Sequence, residues 1–146
     1  MKLRNVLTED YFKVTDVMDE WWGGRKMKHL LPRLFFDHFQ QTSFVLEQEG
    51  ELAGFLIGFY SQTNEHEAYI HFVGVNPTFR NEGLAKSLYE HFFSQVRGNG
   101  CRYVKCITTP VNEGSIKFHK TMGFESELIQ NYAGENEDRV VFKKML

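Results

Sequence analysis

Chemistry in this chain starts at Arg80-Asn81-Glu82-Gly83-Leu84-Ala85. Gly83 and Ala85 are small enough to let backbone come close to a bound group, and the apolar positions 84, 85, 88, 92 and 93 recur at helical spacing. A loop that opens a helix presents first-turn N–H groups without partners inside the helix, which makes an anion seat. Just upstream, Tyr69 to Val75 reads as a strand stopped at Asn76-Pro77, because Pro77 cannot donate to a ladder. By the two-residue period Glu67, Tyr69 and His71 share one face of that strand with Val73 and Val75, so three titratable groups stand in a row. In a later helical stretch, His119 adds an imidazole that titrates near neutral pH.

The elements that must hold these residues follow from the rest of the pattern. Leu3 to Leu7 is a short strand, and Thr8 with Glu9-Asp10 caps a helix running to Trp22 and stopped by Gly23-Gly24. A second helical pattern runs from near Met27 to about Gln40; Pro32 is tolerable only in a first turn, which makes His29-Leu30-Leu31 the expected loop and Leu34, Phe35, Phe36 and Phe39 the buried stripe. Strands at Ser43–Gln48 and Leu52–Phe59 flank the turn Glu49-Gly50-Glu51 and lead through a polar connector into the Tyr69 strand, an antiparallel meander. The helix after Gly83 ends at Gly98-Asn99-Gly100, and Cys101–Thr108 is a strand, so strand, helix and strand imply a parallel pair. Asn112 caps a helix to Met122, and two strands, Phe124–Tyr132 and Arg139–Lys143, close the chain.

With 146 residues the chain is one ordinary domain, 1–146, with one core. A formal net charge of −2, and no basic block longer than Lys143-Lys144, speak against a nucleic-acid partner. Fourteen Phe are a heavy aromatic load, part of it available to line a pocket. Cys101 and Cys106, five apart on one expected strand, fall on opposite faces and read as reduced thiols of a cytoplasmic protein. MKLRNVLTED lacks a signal-type apolar region, and Leu52–Tyr60 is too short to span a bilayer, so no membrane partner is expected.

Two motifs on these elements make the chain resemble the GCN5-related N-acetyltransferase (GNAT) superfamily over essentially its whole length. Arg80 to Ala85 fits the family's Arg/Gln-x-x-Gly-x-Gly/Ala loop at every specified position, and Asn112 to Phe124 fits its Asn-led helix ending before Gly-Phe. The resemblance implies a mixed α/β fold, a six- to seven-stranded sheet with splayed central strands and about four helices. It further implies acetyl-CoA as cosubstrate, with no metal, and direct acetyl transfer to a primary amine of a small molecule in a ternary complex. A protein or peptide acceptor, or a catalytically silent coenzyme-binding module, are the alternatives. The pyrophosphate is expected on the backbone N–H groups of Asn81, Glu82, Gly83, Leu84, Ala85 and Lys86, with Arg80 also on the coenzyme side, and the pantetheine amides along Val73, Gly74 and Val75. Asn112, Ser115 and His119 complete the coenzyme side.

Acetyl transfer to an amine needs a base for the amine proton and an acid for the departing thiolate. The family often carries a Tyr acid where this chain has His119, which either takes over that role or only hydrogen-bonds the sulfur or the coenzyme. Glu67 is the expected base, chosen over Tyr69 and His71. The acceptor wall is expected from Trp21, Trp22 and Arg25, with Tyr69 and His71, suiting an apolar or anionic acceptor. The family's use of terminal strands leaves a homodimer open.

Overall fold

The computed structural model describes residues 1–146. Seven strands, β1 (Lys2–Asn5), β2 (Phe44–Gln48), β3 (Glu51–Tyr60), β4 (Glu67–Val75), β5 (Tyr103–Thr108), β6 (Glu125–Ile129) and β7 (Arg139–Met145), form one sheet. Their spatial order is β1-β2-β3-β4-β5-β7-β6. Only β4 and β5 run parallel, as the intervening helix requires. The helices are α1 (Asp10–Trp21), α2 (Leu34–His38), α3 (Leu84–Gly98) and α4 (Glu113–Thr121), and none is long and apolar enough to cross a membrane.

Each face of the sheet has its own core. On one, Leu84, Leu88, Phe92 and Val96, one stripe of α3, pack with Leu56, Ala68, Ile70, Val104, Cys106 and Phe142. On the other, Val14, Met18 and Trp21 of α1 pack with Phe55, Ile57 and Phe36. Each fully buried side chain of this size contributes roughly 1.5–3 kcal/mol, so the stripes rather than helix propensity hold α1 and α3 on the sheet.

Four expectations are corrected. Thr8 caps nothing; α1 begins at Asp10, whose buried carboxylate accepts the Leu7 N–H at 2.7 Å and takes a bidentate pair from Arg4 at 2.7 and 2.9 Å. The long second helix is instead a 3-10 turn at Lys28–Leu30, the five-residue α2 and another 3-10 turn at Gln40–Thr42. Pro32 separates the first two, and of the expected stripe only Phe36 is buried while Leu34 stays exposed. Cys101 precedes β5, so the strand period does not apply to it, and both thiols sit in the α3-side core.

The fourth correction bears on the site. Along β4, Val75, Gly74, Val73 and Phe72 pair with Gly54, Phe55, Leu56 and Ile57, but Gly58 pairs with Ile70. His71 is therefore the extra residue of a β-bulge, and the alternation of side chains breaks there. Ala68, Ile70, Val73 and Val75 face α3, whereas Phe72 and Gly74 face α1. Glu67, Tyr69 and His71 do not share a face with Val73 and Val75.

Candidate active site

The parallel pair β4 and β5 is joined only at its start, Glu67–Tyr69 against Tyr103–Lys105. Beyond that the strands part, although β4 stays paired to β3 as far as Val75 and β5 to β7 as far as Thr108. The gap opens a cavity of about 440 Å³ whose wall includes Ile70 to Val73 of β4 and Cys106 to Thr109 of β5 and beyond it. It reaches both faces of the sheet. Tyr89, Asn112, Ser115 and His119 line it on the α3 and α4 side, and Trp22, Arg25, Met27, Leu30, Tyr69 and His71 on the α1 side.

Past the end of β4, the chain turns through Asn81 (φ 70°) and Gly83 (φ 73°) into α3. None of the six backbone N–H groups from Asn81 to Lys86 donates to any backbone or side-chain acceptor, and Asn81, Glu82, Gly83 and Lys86 are exposed. Successive amides through left-handed residues at a helix start form an anion-binding concavity. Nothing lies within 4 Å of where a Gly83 Cβ would stand, so the space in front of these amides is open. The Arg80 side chain turns the other way and donates to the Trp21 carbonyl at 3.0 Å, tying the loop to α1.

On the α4 side His119 is buried, stacked on Phe142 at 4.2 Å. Its Nδ1–H donates to the Ser115 carbonyl at 2.7 Å, and its Nε2 accepts from the Tyr89 hydroxyl at 2.8 Å. Both ring nitrogens are thus engaged, and burial lowers the imidazole pKa despite the Ser115 bond, leaving the ring neutral at pH 7. Burial likewise pushes the Tyr89 phenol well up. Asn112 caps α4, its Oδ1 accepting from the Ser115 N–H at 3.2 Å and its Nδ2 donating to Thr108 at 3.2 Å.

On the α1 side the bulge turns His71 into the cavity wall. Its Nε2–H donates to the Leu30 carbonyl at 2.7 Å and its ring stacks on Phe35 at 4.3 Å, so Nδ1 keeps a free lone pair. Burial lowers its pKa, the Leu30 bond opposing, and the ring is neutral at pH 7. Glu67 does not line the cavity. It sits where β4 and β5 still pair, with Oε1 buried 3.7 Å from Lys105 Nζ. Of the two tryptophans, Trp21 is 6% exposed and stacked on Phe55, away from the cavity, while Trp22 lines it and packs so close to Gly74 that a Cβ there would meet its ring at 2.6 Å. Tyr89 and Arg139 line the cavity and were not anticipated from the sequence. A tyrosine on the buried stripe of α3, whose hydroxyl must find a partner, was the available signal for Tyr89; Arg139, at a turn end, offered none.

Residues 3–124 match the acetyltransferase (GNAT) family. The chain is 28% identical over 140 residues, 86% of its length, to an uncharacterized N-acetyltransferase of Methanocaldococcus jannaschii, covering 61% of that protein. It is 28% identical to an L-2,4-diaminobutyric acid acetyltransferase of Vibrio parahaemolyticus (58% of this chain, 47% of that one). It is 26% identical to the ribosomal protein bS18-alanine N-acetyltransferase of Escherichia coli (66% and 64%). The chain thus spans about half to two thirds of the length of these relatives. Among solved structures, a GNAT-family acetyltransferase from Desulfovibrio desulfuricans superposes with a TM-score of 0.85 at 18% identity, over 99% of this chain and 98% of that one. A Paenibacillus lautus diaminobutyrate acetyltransferase, solved with L-2,4-diaminobutyric acid and coenzyme A, gives 0.77 at 21% identity over 97% and 93%. At such identities the likeness establishes the fold.

Proposed function

The chain belongs to the GNAT acetyltransferase family, and from that premise we propose that it transfers the acetyl group of acetyl-CoA to the primary amine of a small molecule within a ternary complex. The observation that carries this reading is the run of six unpartnered amides from Asn81 to Lys86 beside a slot that passes through the sheet. A coenzyme pyrophosphate fits those amides, with Gly83 leaving the approach free. The backbone of Val73, Gly74 and Val75, unpaired toward β5, would accept the pantetheine amides as an added strand. Ser115 and Asn112 border the same slot.

In the reaction a C–N bond forms, the C–S bond breaks, an amine proton leaves and the sulfur gains one. His71 serves as the base in place of Glu67: it is neutral, its free Nδ1 lies at the cavity, and its tautomer is set by Leu30. Proton return to the thiolate falls to the Tyr89–His119 pair. The Tyr89 hydroxyl turns from His119 Nε2 to protonate the departing sulfur; neutral His119 holds that hydroxyl in place beforehand, and the phenol is re-protonated from solvent as the proton taken by His71 leaves to it.

The acceptor side favours a small molecule, because Trp22, Arg25 and Met27 wall the cavity where a peptide substrate would need an open groove. A silent coenzyme-binding module is the reading favoured by the engagement of both His119 nitrogens. A screen of free-thiol release from acetyl-CoA over amines, amino acids, aminoglycosides and peptides separates these readings. Turnover restricted to peptides would refute the small-molecule reading, and coenzyme binding without any thiol release would favour the silent module.

A further inference from the structure

The cavity wall is electrostatically one-sided. It contains Arg25 and Arg139 and not a single Asp or Glu. Neither guanidinium forms an ion pair; Arg25 has no side-chain hydrogen bond, and Arg139 donates only to the Asp138 carbonyl at 2.8 Å. The two histidines of the wall are neutral at pH 7; Glu67 is outside it beside Lys105, and the Asp138 carboxylate next to Arg139 is turned to the Asn131 N–H at 2.8 Å. An incoming cation meets no counter-charge there, whereas two free guanidinium forks match a carboxylate or phosphate in geometry and sign. The remaining wall on this side, Trp22, Tyr69 and the His71 lone pair, suits an amine with an apolar stem.

We infer that the acceptor is a small amino acid, its carboxylate held by Arg25 and Arg139 while its amine lies at His71. The inference rests on the acetyl-transfer reading and narrows it to one substrate class. The cationic wall also disfavours the ammonium form of a bound amine, which lightens the task of His71. Polyamines, aminoglycosides and lysine side chains, which bring positive charge without an anion, are poor acceptors by the same reasoning. A coenzyme phosphate is the other anion that could reach the two arginines, and the test tells the two sources apart.

The test measures kcat/KM for thiol release from acetyl-CoA with matched acceptors: L-phenylalanine against L-phenylalaninamide, and L-2,4-diaminobutyrate against 1,3-diaminopropane. The expected result is a preference of tenfold or more for the carboxylate-bearing member of a pair, reduced at least tenfold by Arg139→Gln and by Arg25→Gln. Calorimetric titration with CoA and with 3′-dephospho-CoA accompanies each variant, and melting curves confirm folding. Equal use of both members of each pair overturns the inference, as does a preference the variants leave intact. Loss of CoA affinity in the variants with dephospho-CoA affinity unchanged also overturns it, placing the arginines on the coenzyme. Failure of the parent chain to bind CoA would instead sink the acetyl-transfer reading itself, so the two failures are distinguishable.

Discussion

Replacing Gly83 by Ala separates the conformational role of that residue from its role at the ligand. Gly83 has φ 73° and ψ 20°, a left-handed conformation that costs an L-residue about 1–2 kcal/mol. No atom lies within 4 Å of the new methyl, so no steric term adds to this in the unliganded protein. For a chain of this size such a loss lowers Tm by several degrees, about 2–4 °C per kcal/mol. Gly50, in the β2–β3 turn at φ 79° and equally open, calibrates the effect: Gly50→Ala should melt within a degree or two of Gly83→Ala. The ligand term differs. A methyl in front of amides that must contact pyrophosphate holds it off, and loss of even two charge-assisted hydrogen bonds, at about 1.5 kcal/mol each, raises Kd by roughly 100-fold. Calorimetric titration with CoA should therefore show Gly50→Ala binding like the parent and Gly83→Ala binding at least 30-fold more weakly. If Gly83→Ala binds CoA within threefold of the parent while melting like Gly50→Ala, the amides of Asn81–Lys86 are not the pyrophosphate seat.

Three further outcomes follow from the same geometry. Tyr89→Phe and His119→Ala should each lower kcat by about 10²-fold with KM for acetyl-CoA retained, and the double variant should be no slower than the worse single, because both remove one proton path. His71 is active when neutral and its pKa is lowered below 6.5, so kcat/KM should hold above that pH and fall as pH drops through the folded value; His71→Gln should be about 10²-fold slower and lose this acid limb, which a purely structural His71 would not produce. Asp10 is pushed up by burial but lowered further by Arg4 and the Leu7 N–H, to a net pKa below 3.8. Its stabilising contribution is thus complete above 3.8 and lost as pH falls through the folded value, and Asp10→Asn should cost about 2–3 kcal/mol in urea unfolding at pH 7 while flattening the fall of stability below pH 3.8.

What the sequence made legible was local. The order of the strands, the parallel pair around α3 and the glycine loop rest on periodicity and turn residues, and each appears where those signals stood. The misreadings share a different cause. Leu34 and Phe39 look like a helical stripe until Pro32 and the neighbouring 3-10 turns divide the segment, and Cys101 looks like a strand residue until β5 starts two positions later. Trp21 and Trp22 are adjacent and chemically identical, yet one stacks in the core and the other walls the cavity, a distinction set by which side of the end of α1 each occupies. Tyr89 and His119 lie thirty residues apart and become a pair only when α3 and α4 pack on the same face of the sheet.

The bulge at His71 shows why the side on which this imidazole stands could not be read from spacing. Strand periodicity assumes one residue per partner, and that assumption is a property of the β3–β4 register rather than of β4 alone. With the extra residue, Val73 and Val75 are free to pack toward α3 while Tyr69 stays on the α1 side and His71 is displaced into the widening gap beside it. A regular strand would have forced a choice, since putting His71 on the acceptor side would have carried Val73 and Val75 there too and left the α3 core short of both. The single inserted residue lets one strand present its backbone to the slot, close the core beneath α3 and hold an imidazole on the opposite side. On the proposed reading, that arrangement has donor and acceptor enter from opposite faces of the sheet and meet where β4 and β5 part.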